Sequence, residues 1–367
     1  MEPQNKLNSK AVESKNKHYP NMSICKKLAL WNEYVCEETQ KNFSKNLNKF
    51  LINPFLNFNS FFADIMNSNN NDKQDNSTIA EVFQKAAKRH PDIEQFFVDD
   101  LEVLYKAPDF PGDQPPLLFV HGAFSSAWCW VDTFMPYFAK LGHPCYALSL
   151  RCHGNSKSAN SCVDWVSISD YVDDVEKVLN KLKEKEETEP FLVAHSMGGF
   201  IAQKFLERQP SKGVILLCSV PPQGLVASQM SLLTQQPHIW AQMNSIMGMG
   251  SNNKGFADKK LVRELFHSNV SDEFVEELSL GLQMESHRAI WDMSMFSLPQ
   301  LRLINKSPML IVGADNDVLI PAFLVKSTGQ VYNLPVHIFE EMGHFIMYED
   351  NWQQVANTIH DWIVEQK

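Results

Sequence analysis

The chain has 367 residues, of which 44% are hydrophobic, so it is long enough to bury a large core in one domain or two. It carries 43 Asp and Glu against 33 Lys and Arg, a net charge of −10, which argues against general nucleic-acid binding because that function requires a basic face. No apolar run reaches the ~18 residues of a membrane span, and residues 1–10 lack a signal-peptide core. The seven cysteines have no metal-ligand spacing, so we expect reduced thiols in a cytoplasmic protein.

Residues 1–77 form an N-terminal helical and linker region. Helically spaced apolar residues predict an amphipathic helix over about 28–52, and residues 67–77 are a low-complexity linker. The stretch from Asn53 to Phe58 resembles phasins, which coat polyester granules. The expected partner of this region is therefore another protein or a granule surface, although the helix could also pack on the following domain.

From residue 78 to 367 the pattern predicts one α/β domain. A short helix over 79–86 and an opening hairpin precede alternating strands and helices, and such alternation implies a mostly parallel sheet with helices on both faces. The remaining strands are predicted at 117–121, 145–150, 191–195, 214–219, 309–312 and 336–339, and the helices at 128–139, 168–183, 197–209 and 352–364.

The interval from about 221 to 306 interrupts this alternation. It contains no strong strand, reads as several helices, and is rich in methionine, a flexible side chain suited to adaptable apolar pockets. We interpret it as a helical cap over an active site, with ordinary helix packing as the alternative. Met243, Met247 and the aromatic Trp128 are the predicted lining of a substrate pocket.

A strand that leads directly into a serine and two glycines is the strongest sign of chemistry. In Phe191-Leu-Val-Ala-His-Ser-Met-Gly-Gly199, Ser196 stands on a tight strand-to-helix turn, close to the G-x-S-x-G elbow with alanine at the first glycine position. A serine hydroxyl needs a histidine base and an orienting carboxylate to act as a nucleophile. Ser196 is the predicted nucleophile.

The base and the acid are expected after the last two strands, because catalytic groups collect at the carboxyl edge of such sheets. His344 follows a glycine after the strand at 336–339 and is the predicted base. His195 is adjacent to Ser196 and should point elsewhere. After the strand at 309–312, Asp317 is the favoured acid and Asp315 the alternative.

Two backbone N–H groups are needed to stabilise a tetrahedral oxyanion. One is predicted to be the amide of Met197, at the start of the helix that follows the nucleophile, where the helix dipole helps. The other should come from the loop after the strand at 117–121, with Phe124 preferred over Ala123.

These segments together resemble the α/β-hydrolase superfamily over about residues 95–367, especially small capped serine esterases and lipases. The resemblance rests on 117–124, 149–156, the Ser196 elbow, the Asp317 loop and Gly343-His344. It implies an α/β-hydrolase fold with a helical cap and makes Arg151 a structural anchor. A serine nucleophile speaks against relatives that use Asp or Cys.

The leading functional prediction is a serine hydrolase that cleaves esters of apolar acyl or aromatic substrates through an acyl-enzyme. It needs no cofactor and no metal. A thioesterase, C–C hydrolase, perhydrolase or polyester depolymerase using the same triad is the enzymatic alternative. A ligand-binding or scaffold protein with an idle triad is the non-enzymatic one.

Overall fold

A single eight-stranded sheet organises the part of the chain that the computed structural model describes. The described residues all fall in one compact unit, residues 60–367. The predicted helix at 28–52, the linker and the expected partner contact lie outside them, so the 77/78 domain boundary stays a prediction. The structure describes residues 76–110, 112–157, 165–186, 188–248 and 259–366, without the side chains of 76–80 and 245–248.

The strands run in the order β1-β2-β4-β3-β5-β6-β7-β8. The β1–β2 hairpin is antiparallel and joins β4 in antiparallel pairing, whereas the pairs from β4 through β8 are parallel. The bounds are β1 Ile93–Val98, β2 Leu101–Lys106, β3 Leu117–Val120, β4 Cys145–Leu148, β5 Phe191–His195, β6 Val214–Leu217, β7 Met309–Ala314 and β8 Val336–Phe339.

The central strands are buried on both faces, as expected where helices cover a parallel sheet. Helices α3, α4 and α10 pack on one face, and α2 and α11 pack on the other, so each face has its own apolar core. The bounds are α1 Asn76–Arg89, α2 Phe134–Lys140, α3 Ile168–Glu186, α4 Met197–Phe205, α5 Val226–Gln235, α6 Pro237–Gly248, α7 Lys259–Glu264, α8 Asp272–Gly281, α9 His287–Trp291, α10 Ala322–Tyr332 and α11 Trp352–Glu365.

Helix α10 is the one regular element that the sequence pattern did not predict within the described residues. Its buried residues are Leu324, Val325, Ser327, Thr328 and Gly329, and the β-branched residues and the glycine among them weaken the helical signal. The parallel pairing of β7 with β8 requires a crossover connection, and α10 provides it.

Helices α5 to α9 and a π-helical turn, Asp292–Phe296, lie between β6 and β7, in the interval where the sequence predicts a cap. Within the described parts of that interval no strand is found. The mostly parallel α/β fold class is confirmed. No helix among the described residues is long and apolar enough to cross a membrane.

Candidate active site

Ser196 lies on the sharp turn between β5 and α4. Its φ of 51° and ψ of −114° are strained values for a residue with a side chain, and its N–H donates to Leu217 O at 2.9 Å, which fixes the turn against β6. Gly198 has no side chain for a steric reason. A Cβ there would lie 2.6 Å from the carbonyl oxygens of Val120 and His121. The strained turn therefore leaves the Ser196 hydroxyl at the carboxyl edge of the sheet.

The loops after β7 and β8 bring a carboxylate and an imidazole to this hydroxyl. His344 Nε2 lies 3.1 Å from Ser196 Oγ, and His344 Nδ1 lies 2.8 Å from Asp317 Oδ2. Asp315, the alternative acid, is exposed and accepts from its neighbour Asn316 and from the Met342 N–H. The structure thus joins Ser196, His344 and Asp317 in one relay and leaves Asp315 outside it.

Asp317 is held as a buried carboxylate. Burial raises the pKa of its carboxyl group. His344 and the N–H groups of Leu319 and Ile320 lower this pKa by more than burial raises it, so the pKa lies below its usual value. The two N–H groups donate to Oδ1 at 2.9 and 2.8 Å, which leaves Oδ2 for His344. The carboxylate can therefore fix the imidazole with its Nδ1 protonated and its Nε2 directed at the serine.

His195 points away from the hydroxyl, as predicted. Its Nε2 lies 2.9 Å from the carbonyl oxygen of His344, and burial lowers the pKa of His195 to about 3. A neutral ring that donates to this carbonyl holds the His344 backbone. The His344 N–H also donates to Leu265 O in the cap at 2.9 Å, so the loop is fixed from both sides.

The predicted oxyanion donors divide into two groups in the structure. The Phe124 N–H, which was the preferred donor, is directed at the carboxylate of Glu285, 3.3 Å away. Among the described residues, no acceptor is found for the amides of Ala123 and Met197, and both residues line the same cavity as Ser196. This geometry supports Ala123 and Met197 as the donor pair and not Phe124.

An apolar cavity of about 120 Å³ opens at Ser196 and His344. None of its described lining residues is Asp, Glu, Lys or Arg. Met243 lies in the wall as predicted, together with Leu232 and Leu261, which pack around it. The lining suits an uncharged apolar group.

The other two pocket predictions have different outcomes. Trp128 does not belong to this wall, because its ring stacks on Phe83 at 5.1 Å and lines a smaller neighbouring cavity of about 50 Å³. Ser125 lines both cavities, whereas Trp128, three residues later in the loop, lines only the smaller one. The side chain of Met247 lies outside the described part of the chain.

Arg151 has the structural role expected for it. Its guanidinium donates to Asp174 at 2.6 and 2.9 Å and to Asp170 at 3.1 Å, both on α3. For metal binding, the described residues offer the cluster of Cys218, Asp317 and His344, whose ligand atoms lie within 4.8 Å of one another. Two of these three groups already form the relay with Ser196.

Sequence reasoning missed a second buried carboxylate beside the site. Glu285, in the loop between α8 and α9, is 3% exposed and accepts from Tyr171 Oη at 2.7 Å and from the Ser286 N–H at 2.8 Å. His153 Nε2 lies 3.3 Å from it at ion-pair distance. These partners lie more than 100 positions away along the chain, except Ser286, so no local pattern indicated the cluster.

Comparison with known proteins identifies the family. The profile of the Alpha/beta hydrolase family matches residues 117–358, about two thirds of the sequence, and the chain therefore belongs to that family. The predicted superfamily is confirmed, and the chain is a hydrolase of this family.

Two relatives with known activities resemble the sequence. Protein phosphatase methylesterase 1 of Candida albicans is 24% identical over 305 residues, covering 81% of this chain and 82% of the relative. Methyl jasmonate esterase 1 of Vitis vinifera is 39% identical over 98 residues, covering 26% of this chain and 34% of the relative.

Solved structures share the fold at low sequence identity. Naproxen esterase from Bacillus subtilis superimposes with a TM-score of 0.60 at 15% identity, covering 80% of this chain and 99% of that one. Carboxylesterase CesB from Bacillus subtilis gives a TM-score of 0.59 at 14% identity, covering 78% and 96%.

Proposed function

We propose that the chain is a serine carboxylesterase that cleaves esters of apolar acids with small alcohols through an acyl-enzyme. The observation that carries this proposal is the continuous relay from Asp317 Oδ2 to His344 and on to Ser196 Oγ, with separations of 2.8 and 3.1 Å. Both distances lie within the reach at which a histidine can act as a general base.

The reaction begins when Ser196 Oγ attacks the ester carbonyl and its proton passes to His344 Nε2. The amides of Ala123 and Met197 stabilise the oxyanion, and the protonated imidazole then gives its proton to the departing alcohol. Water activated by the neutral His344 releases the acid and regenerates the serine. Asp317 stays ionised throughout and stabilises the imidazolium.

The cavity and the relatives both support the proposed substrate class. The apolar wall favours an uncharged acyl group, because a charged group would lose its hydration there without a partner. The two curated relatives described above are methylesterases, which supports a small alcohol as the leaving group. The family alone does not fix this choice, since one fold serves many reactions.

Hydrolysis of methyl and p-nitrophenyl esters of rising acyl length tests the proposal. The wild type should hydrolyse them with an optimum set by the cavity, and Ser196→Ala should not. Ser211→Ala is the matched control, since Ser211 is buried just before β6, at the opposite edge of the sheet. Equal activity in Ser196→Ala and wild type would refute the proposed nucleophile.

A further inference from the structure

The backbone of Phe124 is bound through both its N–H and its carbonyl group by one segment of the cap. Its N–H is directed at Glu285 Oε2 at 3.3 Å, and its carbonyl accepts from the Gln283 N–H at 2.8 Å. Phe124 has a φ of 64°, in the left-handed region that residues with side chains rarely adopt. Such a conformation persists where the surroundings fix it, and here the cap supplies both partners.

Residues 121–124, the loop after β3, are called the oxyanion loop below. The peptide plane between Ala123 and Phe124 sets the local course of this loop. The Ala123 N–H precedes this plane by one residue, and Gly122 is packed so closely on Ser196 that a Cβ would lie 3.0 Å from the serine Cβ. A rotation at Phe124 would therefore move Ala123 relative to the nucleophile. The Phe124 N–H, which would turn with this plane, is directed at the Glu285 carboxylate.

Glu285 is itself held in place by a buried cation. His153 Nδ1 lies 3.1 Å from Arg151 O, and its Nε2 faces Glu285 Oε2 at 3.3 Å. The Nε2 contact is at ion-pair distance without hydrogen-bond geometry. Burial lowers the pKa of His153, but the neighbouring Glu285 carboxylate raises it above its usual value, which favours the cationic ring. His153 and Glu285 have fully buried side chains, so the ion pair is protected from solvent.

Other ionisable groups surround the pair without replacing either member. Tyr171 Oη donates to Glu285 Oε1, and Asp174 adds negative charge near His153 while it binds Arg151. His121 lies 5.1 Å from His153, ring centre to ring centre. It is neutral, since its Nδ1 donates to Gly122 O and its Nε2 accepts from the Leu150 N–H.

We propose that Glu285 is a positioning residue for the reaction: through the Phe124 peptide it holds the oxyanion loop so that the Ala123 N–H faces the developing oxyanion. The cap is thereby part of the catalytic apparatus as well as the wall of the pocket. This inference rests on the proposed esterase function.

The test compares Glu285→Gln with wild type, using p-nitrophenyl butyrate as substrate and an alkyl trifluoromethyl ketone as inhibitor. Ser196 Oγ adds to the ketone carbon and the serine proton passes to His344. The resulting hemiketal oxyanion then lies at the proposed donors, the amides of Ala123 and Met197. Complete loss of one donor costs about 10²- to 10³-fold, so a displaced donor should lower kcat/KM by about 10- to 100-fold. The inhibition constant of the ketone should rise by the same factor, while KM changes by less than about threefold.

Asp292→Asn is the matched control. Asp292 is a second buried carboxylate of the cap, but it accepts from the Ile168 N–H and from Arg288 Nε and does not contact the oxyanion loop. We expect a lower melting temperature in this variant, with kcat/KM and ketone affinity close to wild type. A merely structural role for Glu285 would produce this same pattern in Glu285→Gln.

Glu285→Gln leaves His153 buried without its ion-pair partner. The test therefore includes the charge-balanced variant Glu285→Gln/His153→Gln, which should show the same loss of ketone affinity. If either folded variant keeps wild-type kcat/KM and ketone affinity, the inference is wrong and the esterase proposal stands. If the folded wild type hydrolyses no ester and is not labelled at Ser196, both fail.

Discussion

The structure contains a buried carboxylate–histidine pair at the reacting serine and another at the Phe124 backbone, and the two pairs differ in what the second ring nitrogen contacts. In the Asp317–His344 pair, Nε2 faces the hydroxyl of Ser196 at 3.1 Å. In the Glu285–His153 pair, the far nitrogen faces a backbone carbonyl at 3.1 Å. A hydroxyl can give a proton to the ring, whereas a carbonyl can only accept one.

The same kind of pairing, a carboxylate beside a histidine, thus serves a different purpose in each of the two places. The first pair can take part in proton transfer, because Nε2 of its histidine faces the Ser196 hydroxyl, which can donate a proton, while Nδ1 is held by the fixed Asp317 carboxylate. The second pair forms a fixed buried ion pair, because both nitrogens of its histidine face oxygen atoms, one of a backbone carbonyl and one of the Glu285 carboxylate. Burial makes the second pair useful for holding backbone, since an ion pair shielded from water resists displacement.

Replacing each histidine should separate the two roles most strongly. His344→Gln removes the base, so kcat/KM should fall by on the order of 10⁴- to 10⁶-fold, as for other members of such triads. His153→Gln keeps the base and should lose no more than about 100-fold. Steady-state ester hydrolysis measures both, and losses of equal size would contradict the distinction.

The two acidic candidates after β7 give the next largest contrast. Asp317→Asn should lower kcat by about 10³- to 10⁴-fold, because an amide cannot hold the imidazole in the required tautomer or stabilise its cation. Asp315→Asn is the matched control and should stay within about twofold, since Asp315 is exposed. A larger loss in Asp315→Asn than in Asp317→Asn would make Asp315 the acid.

The cap wall should control acyl length with a smaller effect. Leu232→Ala removes three carbons from the cavity wall and so enlarges the cavity. We expect kcat/KM for the preferred ester to fall by about tenfold and the optimal acyl length to increase. Leu233→Ala is the control, because this neighbour is 38% exposed and does not line the cavity. An unchanged optimum in Leu232→Ala would place the acyl group elsewhere.

The smallest expected effect is the pH dependence of stability. Burial lowers the pKa of His153, but Glu285 raises it above 6.5, and burial raises the pKa of Glu285, but His153 lowers it below 4.5. The histidine contribution is complete below pH 6.5 and is lost as pH rises through its folded pKa. The glutamate contribution is complete above pH 4.5 and is lost as pH falls through its folded pKa.

Thermal unfolding across pH measures this window. The melting temperature of wild type, relative to Glu285→Gln/His153→Gln, should be highest between pH 4.5 and 6.5 and decline on both sides, by a few degrees per kcal/mol lost. A difference that does not vary with pH would mean that the two groups do not titrate as a buried ion pair.

The strands and the three relay residues could be predicted from sequence because their signals are local. Ser196 directly follows the buried strand β5, Asp317 and His344 lie in the loops after β7 and β8, and parallel strands bring their carboxyl ends to one edge. The same logic could have indicated helix α10, since two parallel strands require a crossover.

What could not be predicted depends on contacts between distant segments. Glu285 meets Phe124 across 161 positions and Tyr171 across 114, and its own neighbourhood contains nothing that marks it. The preference for the Phe124 amide over that of Ala123 came from the loop sequence alone, which does not reveal the cap carboxylate that faces the Phe124 N–H. Trp128 was misplaced because spacing along the loop does not determine which of two adjoining cavities a ring enters.

Covalent labelling is the most direct test of whether the Ser196 hydroxyl is the nucleophile. Wild type, Ser196→Ala and the Ser211→Ala control are treated with an alkyl fluorophosphonate, and the modified peptide is identified by mass spectrometry. We expect one adduct on Ser196 in wild type and in Ser211→Ala, and none in Ser196→Ala. An adduct on another residue that persists in Ser196→Ala, or no adduct in the folded wild type, would contradict it.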